Sequence, residues 1–156
     1  MSIDQAIANL QGVKRNLKKV VGNEMTNYAL DNIKRQRDAN GMPLRRRKPG
    51  TPRDARRLIL VDTGEGRRTI AAVPTATGVE LQAAEHMVAH NQGATIRGNF
   101  RVRAHTRRRK GRSEQVTAHS RQVNITLPQR QFFGKSAALT GRINERISKQ
   151  IINALT

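Results

Sequence analysis

The chain predicts an α+β fold: an N-terminal and a C-terminal helix packed on an antiparallel β-sheet, with a long projecting basic hairpin at about residues 102–121. Three observations point there. Apolar residues recur at helical spacing in the first 37 residues and again near the end, where Leu139, Ile143, Ile147, Ile151 and Leu155 are spaced by four. Between these stretches, apolar and polar residues alternate at strand period between turn signals. One hexapeptide theme occurs twice, VRAHTR at 102–107 and VTAHSR at 116–121, on either side of Gly111. Two strands joined by a tight reversal have that form.

The first helix spans residues 2–37, capped by Ser2 or Asp4, with Ile3, Ile7, Leu10, Leu17, Val20, Val21, Tyr28 and Ile33 near helical spacing. Gly12 and Gly22 each cost about 1 kcal/mol against Ala, so a break or bend is expected at one of them. Lys14, Arg15, Lys18 and Lys19 read as a solvated face. NGMP at 40–43 is expected to stop the helix, because Asn and Gly favour left-handed geometry and Pro43 cannot continue it. Residues 43–57 form a basic loop carrying Arg45, Arg46, Arg47, Lys48 and Arg53.

Apolar character returns at 58–61 and ends in a turn at 62–64. Strands are expected at 68–73 and 79–84, joined across PTATG, and 85–90 continues as strand or helical turn. Ile96, Gly98 and Phe100 lead into the hairpin in phase with Val102. Folded about Gly111, the hairpin sets Val102 opposite Ser120, Ala104 opposite Ala118 and Thr106 opposite Val116, with these lean faces toward the core. Its other face carries Arg103, His105, Arg107, Thr117, His119 and Arg121, and Arg107, Arg108, Arg109, Lys110 and Arg112 load the tip. The apolar set then moves to Val123, Ile125 and Leu127, which implies a bulge near Arg121 or Gln122. A corner at 127–136 precedes the last helix, 136–155. All of this fits one domain, 1–156.

Charge is the strongest compositional signal. Thirty Lys and Arg against eleven Asp and Glu leave +19 in 156 residues, so an anionic partner is expected. There is no cysteine, hence no disulfide or thiolate chemistry. Neither a secretory signal nor an apolar run of membrane-spanning length is visible, so no membrane partner is expected.

Catalytic patterns are thin. His86 and His90 lie four apart beside Glu85, but a zinc site needs a third ligand, and His105 and His119 sit among arginines that repel a cation. Those two more naturally cap or pack the hairpin's polar face. Asp62 and Glu65 flank a turn among so many cations that both stay ionised. No GxSxG elbow and no phosphate-cradling glycine loop is present. The expectation is a non-enzyme without cofactor or metal. Its basic clusters suit phosphates and protein carboxylates equally, which leaves a non-specific nucleic-acid-binding protein, ribosome-associated or a DNA-packaging accessory, as the alternative function.

Five stretches, taken in order, carry a resemblance: IKRQRDANGMP at 33–43, LVDTG at 60–64, AHNQGA at 89–94, VRAHTRRR at 102–109 and LPQRQFFG at 127–134. The chain resembles the virion morphogenesis, or tail completion, proteins of tailed bacteriophages, the Mu-like family. The resemblance marks Gln36, Asn40, Gly41 and Pro43, then Thr63 and Gly64, then His90, Gln92 and Gly93. Pro128, Arg130, Phe132, Phe133 and Gly134 complete the set. These read as turns and a corner that set the fold. LRRRK follows the NGMP step where an aromatic is usual, and GluGlyArg follows DTG in place of an apolar continuation.

The resemblance implies a structural component of the virion neck, assembled in the host bacterial cytoplasm. It would oligomerise as a ring at the upper end of the tail, against tail terminator, tube or sheath proteins, and join it to the head connector. The loop at 43–57 and the hairpin would be arms that grip neighbouring subunits or packaged DNA.

Overall fold

In a computed structural model that describes residues 1–46, 58–61, 63–109 and 111–156, with the backbone alone at Arg109, the chain opens with helix α1, Ile3–Arg35. The Ser2 side chain caps it by accepting from the Gln5 N–H at 3.2 Å. α1 runs uninterrupted through Gly12 and Gly22, so neither expected break occurs. Gly22 has a packing reason to lack a side chain: a Cβ there would lie 3.0 Å from the Ala72 Cβ. The strand hairpin that presses on it is pinned by Lys18, whose Nζ donates to the Thr75 and Ala76 carbonyls at 2.6 and 3.1 Å. Lys18 is therefore a tether, not part of a purely solvated face.

The helix ends at Arg35, ahead of NGMP. Gln36 takes left-handed φ 56° and ψ 40°, its N–H bonds the Ile33 carbonyl, and the Arg37 N–H bonds the Asn32 carbonyl, which is a Schellman stop. NGMP instead builds the next turn. The Asp38 Oδ1 accepts from the Asn40 and Met42 N–H groups at 2.8 Å each, Gly41 takes φ +87°, and Arg37 bridges to Pro43.

Then follow α2 (Glu65–Arg68), β1 (Ala71–Pro74), β2 (Val79–Gln82), α3 (Glu85–Gln92), β3 (Ala94–Val102), β4 (His105–Arg109), β5 (Arg112–Val116), β6 (His119–Leu127) and α4 (Ala137–Leu155). A helical turn occupies the place where the first strand was expected to begin, and residues 85–90 resolve as helix. The fold is α+β, and its antiparallel strands form three two-stranded ribbons, β1–β2, β3–β6 and β4–β5. No helix is long and apolar enough to cross a membrane among the described residues.

α4 is capped by Ser136, whose Oγ accepts from the Leu139 N–H, and lies antiparallel to α1. The direction follows from its contacts: Arg142 reaches Asp31 at 3.1 Å and Glu24 at 3.7 Å, while Asn9 donates to the Ala154 carbonyl at the other end. These polar links are partly exposed and contribute little each; apolar burial holds the body together. Ala29, Ile33, Ile70, Met87 and Phe132 form one buried cluster and Tyr28, Ala39 and Leu139 a second, with Phe133 packed against both.

Candidate interaction arm

Register sets the geometry of the most prominent feature. β3 pairs with β6 from Ala94↔Leu127 to Val102↔His119, and β4 with β5 from His105↔Val116 to Arg109↔Arg112. The two ribbons keep one register, so 94–127 is a single arm about 50 Å long at about 3.3 Å per residue. It starts nearer the body than the expected 102–121. Two residues separate the paired ends Arg109 and Arg112. Gly111 has φ +81°, and Lys110 lies outside the described residues.

A two-residue loop suits the twist of a ribbon, and it moves every partner by one from a fold about Gly111. Val102 faces His119, not Ser120, and Thr106 faces Gln115, not Val116. Ala104 lies level with Thr117, not Ala118. Such a shift exchanges one strand's faces, so Arg103, His105 and Arg107 do not share a face with Thr117, His119 and Arg121. Pairing runs unbroken through Arg121 and Gln122, and the expected bulge is absent there.

Between its root and Val102 the arm has two unlike faces. Ile96 opposes Ile125, Gly98 opposes Val123 and Ala94 opposes Leu127, with Phe100 in the same row. This apolar stripe does not join the core as expected: Ile96, Phe100 and Ile125 are 41%, 51% and 47% exposed. Arg121 stands on this side, opposite Phe100. The other face presents Arg97, Asn99 and Arg101 beside Asn124, Gln122 and Ser120, all exposed. None of these six was marked by the sequence, although the parity of the apolar residues in 94–102 and 123–127 contains the signal.

The duplicated hexapeptide marks a break in the ladder. Residues 103–104 and 117–118 leave the ladder, and in both strands a histidine takes up a carbonyl: the Nδ1 of His105 meets the Arg103 carbonyl, and that of His119 the Thr117 carbonyl, each at 2.9 Å. The VxAH repeat thus places one device twice, about a local two-fold axis. Toward the tip, Arg107 grips Glu114 through Nε and Nη2, both 3.0 Å from Oε2. Arg103, Arg108, Arg112 and Arg121 are exposed.

The root of the arm is held by residues the family resemblance singled out, joined by Asn32 and Asn91, which it did not. Gly93 has φ +78°, and a Cβ there would sit 3.2 Å from the Gln129 N. Arg130, 6% exposed, donates from Nε to the Arg45 carbonyl at 2.9 Å, and its Nη1 lies 3.3 Å from the His90 Nδ1. The Arg130 N–H bonds the His90 carbonyl. The Asn91 side chain both donates to and accepts from the backbone of Phe133, at 3.0 Å each, and Asn32 donates to the Phe132 carbonyl. Pro128 follows β6 directly, Gln92 ends α3, Gly64 (φ +81°) opens α2, and Thr63 accepts from the Glu65 N–H. Gly134 lies against the Gln131 side chain. Four of the five resembling stretches therefore converge on one junction, and the fifth lies out along the arm.

Other expected site residues fall elsewhere. Arg45 and Arg46 are exposed; Arg47, Lys48 and Arg53, like Asp62, lie outside the described residues. His86 and His90 share a cleft of about 440 Å³ with Glu65 and Arg130. Among the described residues no three His, Cys, Asp or Glu side chains come together to hold a metal. No family model, curated protein or solved structure matches this chain.

Proposed function

We propose that the chain is a structural protein of a tailed-phage neck, of the tail completion type, which assembles with copies of itself at the upper end of the tail and joins it to the head connector. It acts by contact and not by catalysis. The observation that supports this best is the open apolar stripe of Ile96, Phe100 and Ile125 on a two-stranded ribbon. A ribbon of two strands is marginal in water without further cover, and a neighbouring subunit supplies it.

A second copy suits the charge. The far end of the α1–α4 pair exposes Ile3, Ile7, Ile152 and Leu155, about 50 Å along α1 from the end nearest the arm's root. Residues 1–13 and 150–156 include a single charged side chain, Asp4, so this is where another copy's Arg121-bearing stripe meets least repulsion. Two different apolar surfaces on one chain match head-to-tail contacts, which close into rings when the rotation from copy to copy closes.

Native mass spectrometry and negative-stain microscopy at low salt test the reading. Rings are expected, and Ile96→Lys/Ile125→Lys is expected to release subunits with unchanged helical circular dichroism. Particles made without the chain are expected to show heads and tails unjoined, or tails with defective upper ends. A chain that stays monomeric and associates with neither tail nor connector proteins overturns it.

A further inference from the structure

We propose that the polar face of the arm, built from Arg97, Asn99, Arg101, Ser120, Gln122 and Asn124, is a binding surface for the sugar-phosphate backbone of duplex nucleic acid. The inference stands on the arm's two-faced register and does not require the neck reading.

Charge segregation is the first support. Residues 94–127 contain nine Lys and Arg against one acid, Glu114, and that acid is gripped by Arg107 nearer the tip. From Thr95 to Arg101 and from Ser120 to Thr126 the polar face holds no carboxylate. Its arginines therefore have no acid directly across the ribbon: Arg97 faces Asn124 and Arg101 faces Ser120.

The second support is the company those arginines keep. Side chains on one face of a strand recur about every 6.7 Å, so Thr95 to Arg101 lays a row of donors about 20 Å long. A duplex offers one phosphate per about 3.4 Å of axis on each strand, a continuous line of acceptors of matching length. Asn, Gln and Ser donate to phosphate and sugar oxygens as Arg does, which positions a protein without reading sequence. A two-stranded ribbon is also of a width that the major groove admits. An acidic protein surface would satisfy the arginines at separate points, whereas an unbroken polyanion also offers acceptors in line to the neutral donors between them. The apolar face, on the opposite side, stays available to a subunit at the same time.

The test uses the full chain, a labelled random-sequence duplex of about 20 base pairs and fluorescence anisotropy from about 50 to 200 mM salt. Arg97→Gln/Arg101→Gln is compared with Lys14→Gln/Arg15→Gln, which removes equal charge from α1. The arm variant is expected to lower the slope of log K against log salt by about 2 and to bind roughly ten- to fifty-fold more weakly at about 0.1 M salt, with melting and assembly as in the wild type. The α1 variant is expected to keep the wild-type slope. An unchanged slope in the arm variant, an equal loss in the α1 variant, or tighter binding to polyglutamate than to duplex overturns the proposal, the last in favour of an acidic protein surface. Loss of ring formation with duplex binding intact counts against the neck reading alone.

Discussion

Replacing Gln36 by Ala tests whether one side chain clamps the chain's second segment to the end of α1. The Gln36 Oε1 accepts from the Ile59 N–H at 2.6 Å, and its Nε2 donates to the Ile59 and Ile33 carbonyls at 3.0 and 2.6 Å. Ile59 is 8% exposed, so water cannot freely replace the amide. With the two Ile59 groups left short of partners at about 1–1.5 kcal/mol each, Gln36→Ala is expected to cost about 2–3 kcal/mol. The backbone adds a separate effect, because φ 56° disfavours any side chain. Gln36→Gly loses the same amide but relaxes that strain, and is expected to be about 1 kcal/mol more stable than Gln36→Ala. Urea denaturation followed by circular dichroism measures both. An Ala variant within about 0.5 kcal/mol of wild type, below the smallest loss these bonds allow, or a Gly variant less stable than the Ala variant, refutes the clamp.

Other expectations follow from packing. Gly12→Ala, whose new Cβ approaches only the Arg15 guanidinium at 3.9 Å, is expected to raise stability by about 0.5–1 kcal/mol, whereas Gly22→Ala, pressed on Ala72, is expected to lower it; thermal melts separate the two signs. Ile33→Ala, at a fully buried site, is expected to cost about 3–4 kcal/mol in urea titrations. Lys149, by a hydrogen bond and by its charge, holds the Glu145 carboxyl below its ordinary range. The pair's contribution is thus present above the ordinary carboxylate pKa and lost as pH falls through the lowered one. A carboxyl NMR titration is expected to show the low midpoint, and Lys149→Met to bring it back up.

Elements that bury a stripe were legible. Residues 139–155 announce α4 because a helix lying on another must keep one apolar row, and Ser136 stands where its cap belongs. The arm's existence was visible in the repeated VxAH, yet its register was not. Val102, Ala104 and Thr106 mirror Val116, Ala118 and Ser120 about Gly111 so well that the eye folds the chain on a single residue, while backbone twist prefers two. That one-residue error set Ile125 on the wrong side of Ile96 and called for a bulge that does not exist. The core that Ile96 and Phe100 were expected to join is a separate matter, since strand parity shows which residues share a face and not what covers it. Gln36 looked interior to α1 because a left-handed stop usually shows as Gly or Asn; its side chain, not its backbone preference, explains its place. Arg130 was marked by the resemblance alone, since its partners, His90 and the Arg45 carbonyl, are distant in sequence and leave no local pattern.

That distance sets a schedule for folding. Asn32 waits for Phe132, Tyr28 for Ser136 and the Arg45 carbonyl for Arg130, separations of 100, 108 and 85 residues. Contacts so remote form only after the intervening chain has been synthesised. A nascent polypeptide halted at residue 126 would own the first helix and the β1–β2 hairpin laid on it but would lack Arg130, Phe132 and Leu139, so limited proteolysis is expected to digest a 1–126 fragment faster than the full chain. The last thirty residues act as the keystone, closing a core that the upstream elements form only in part.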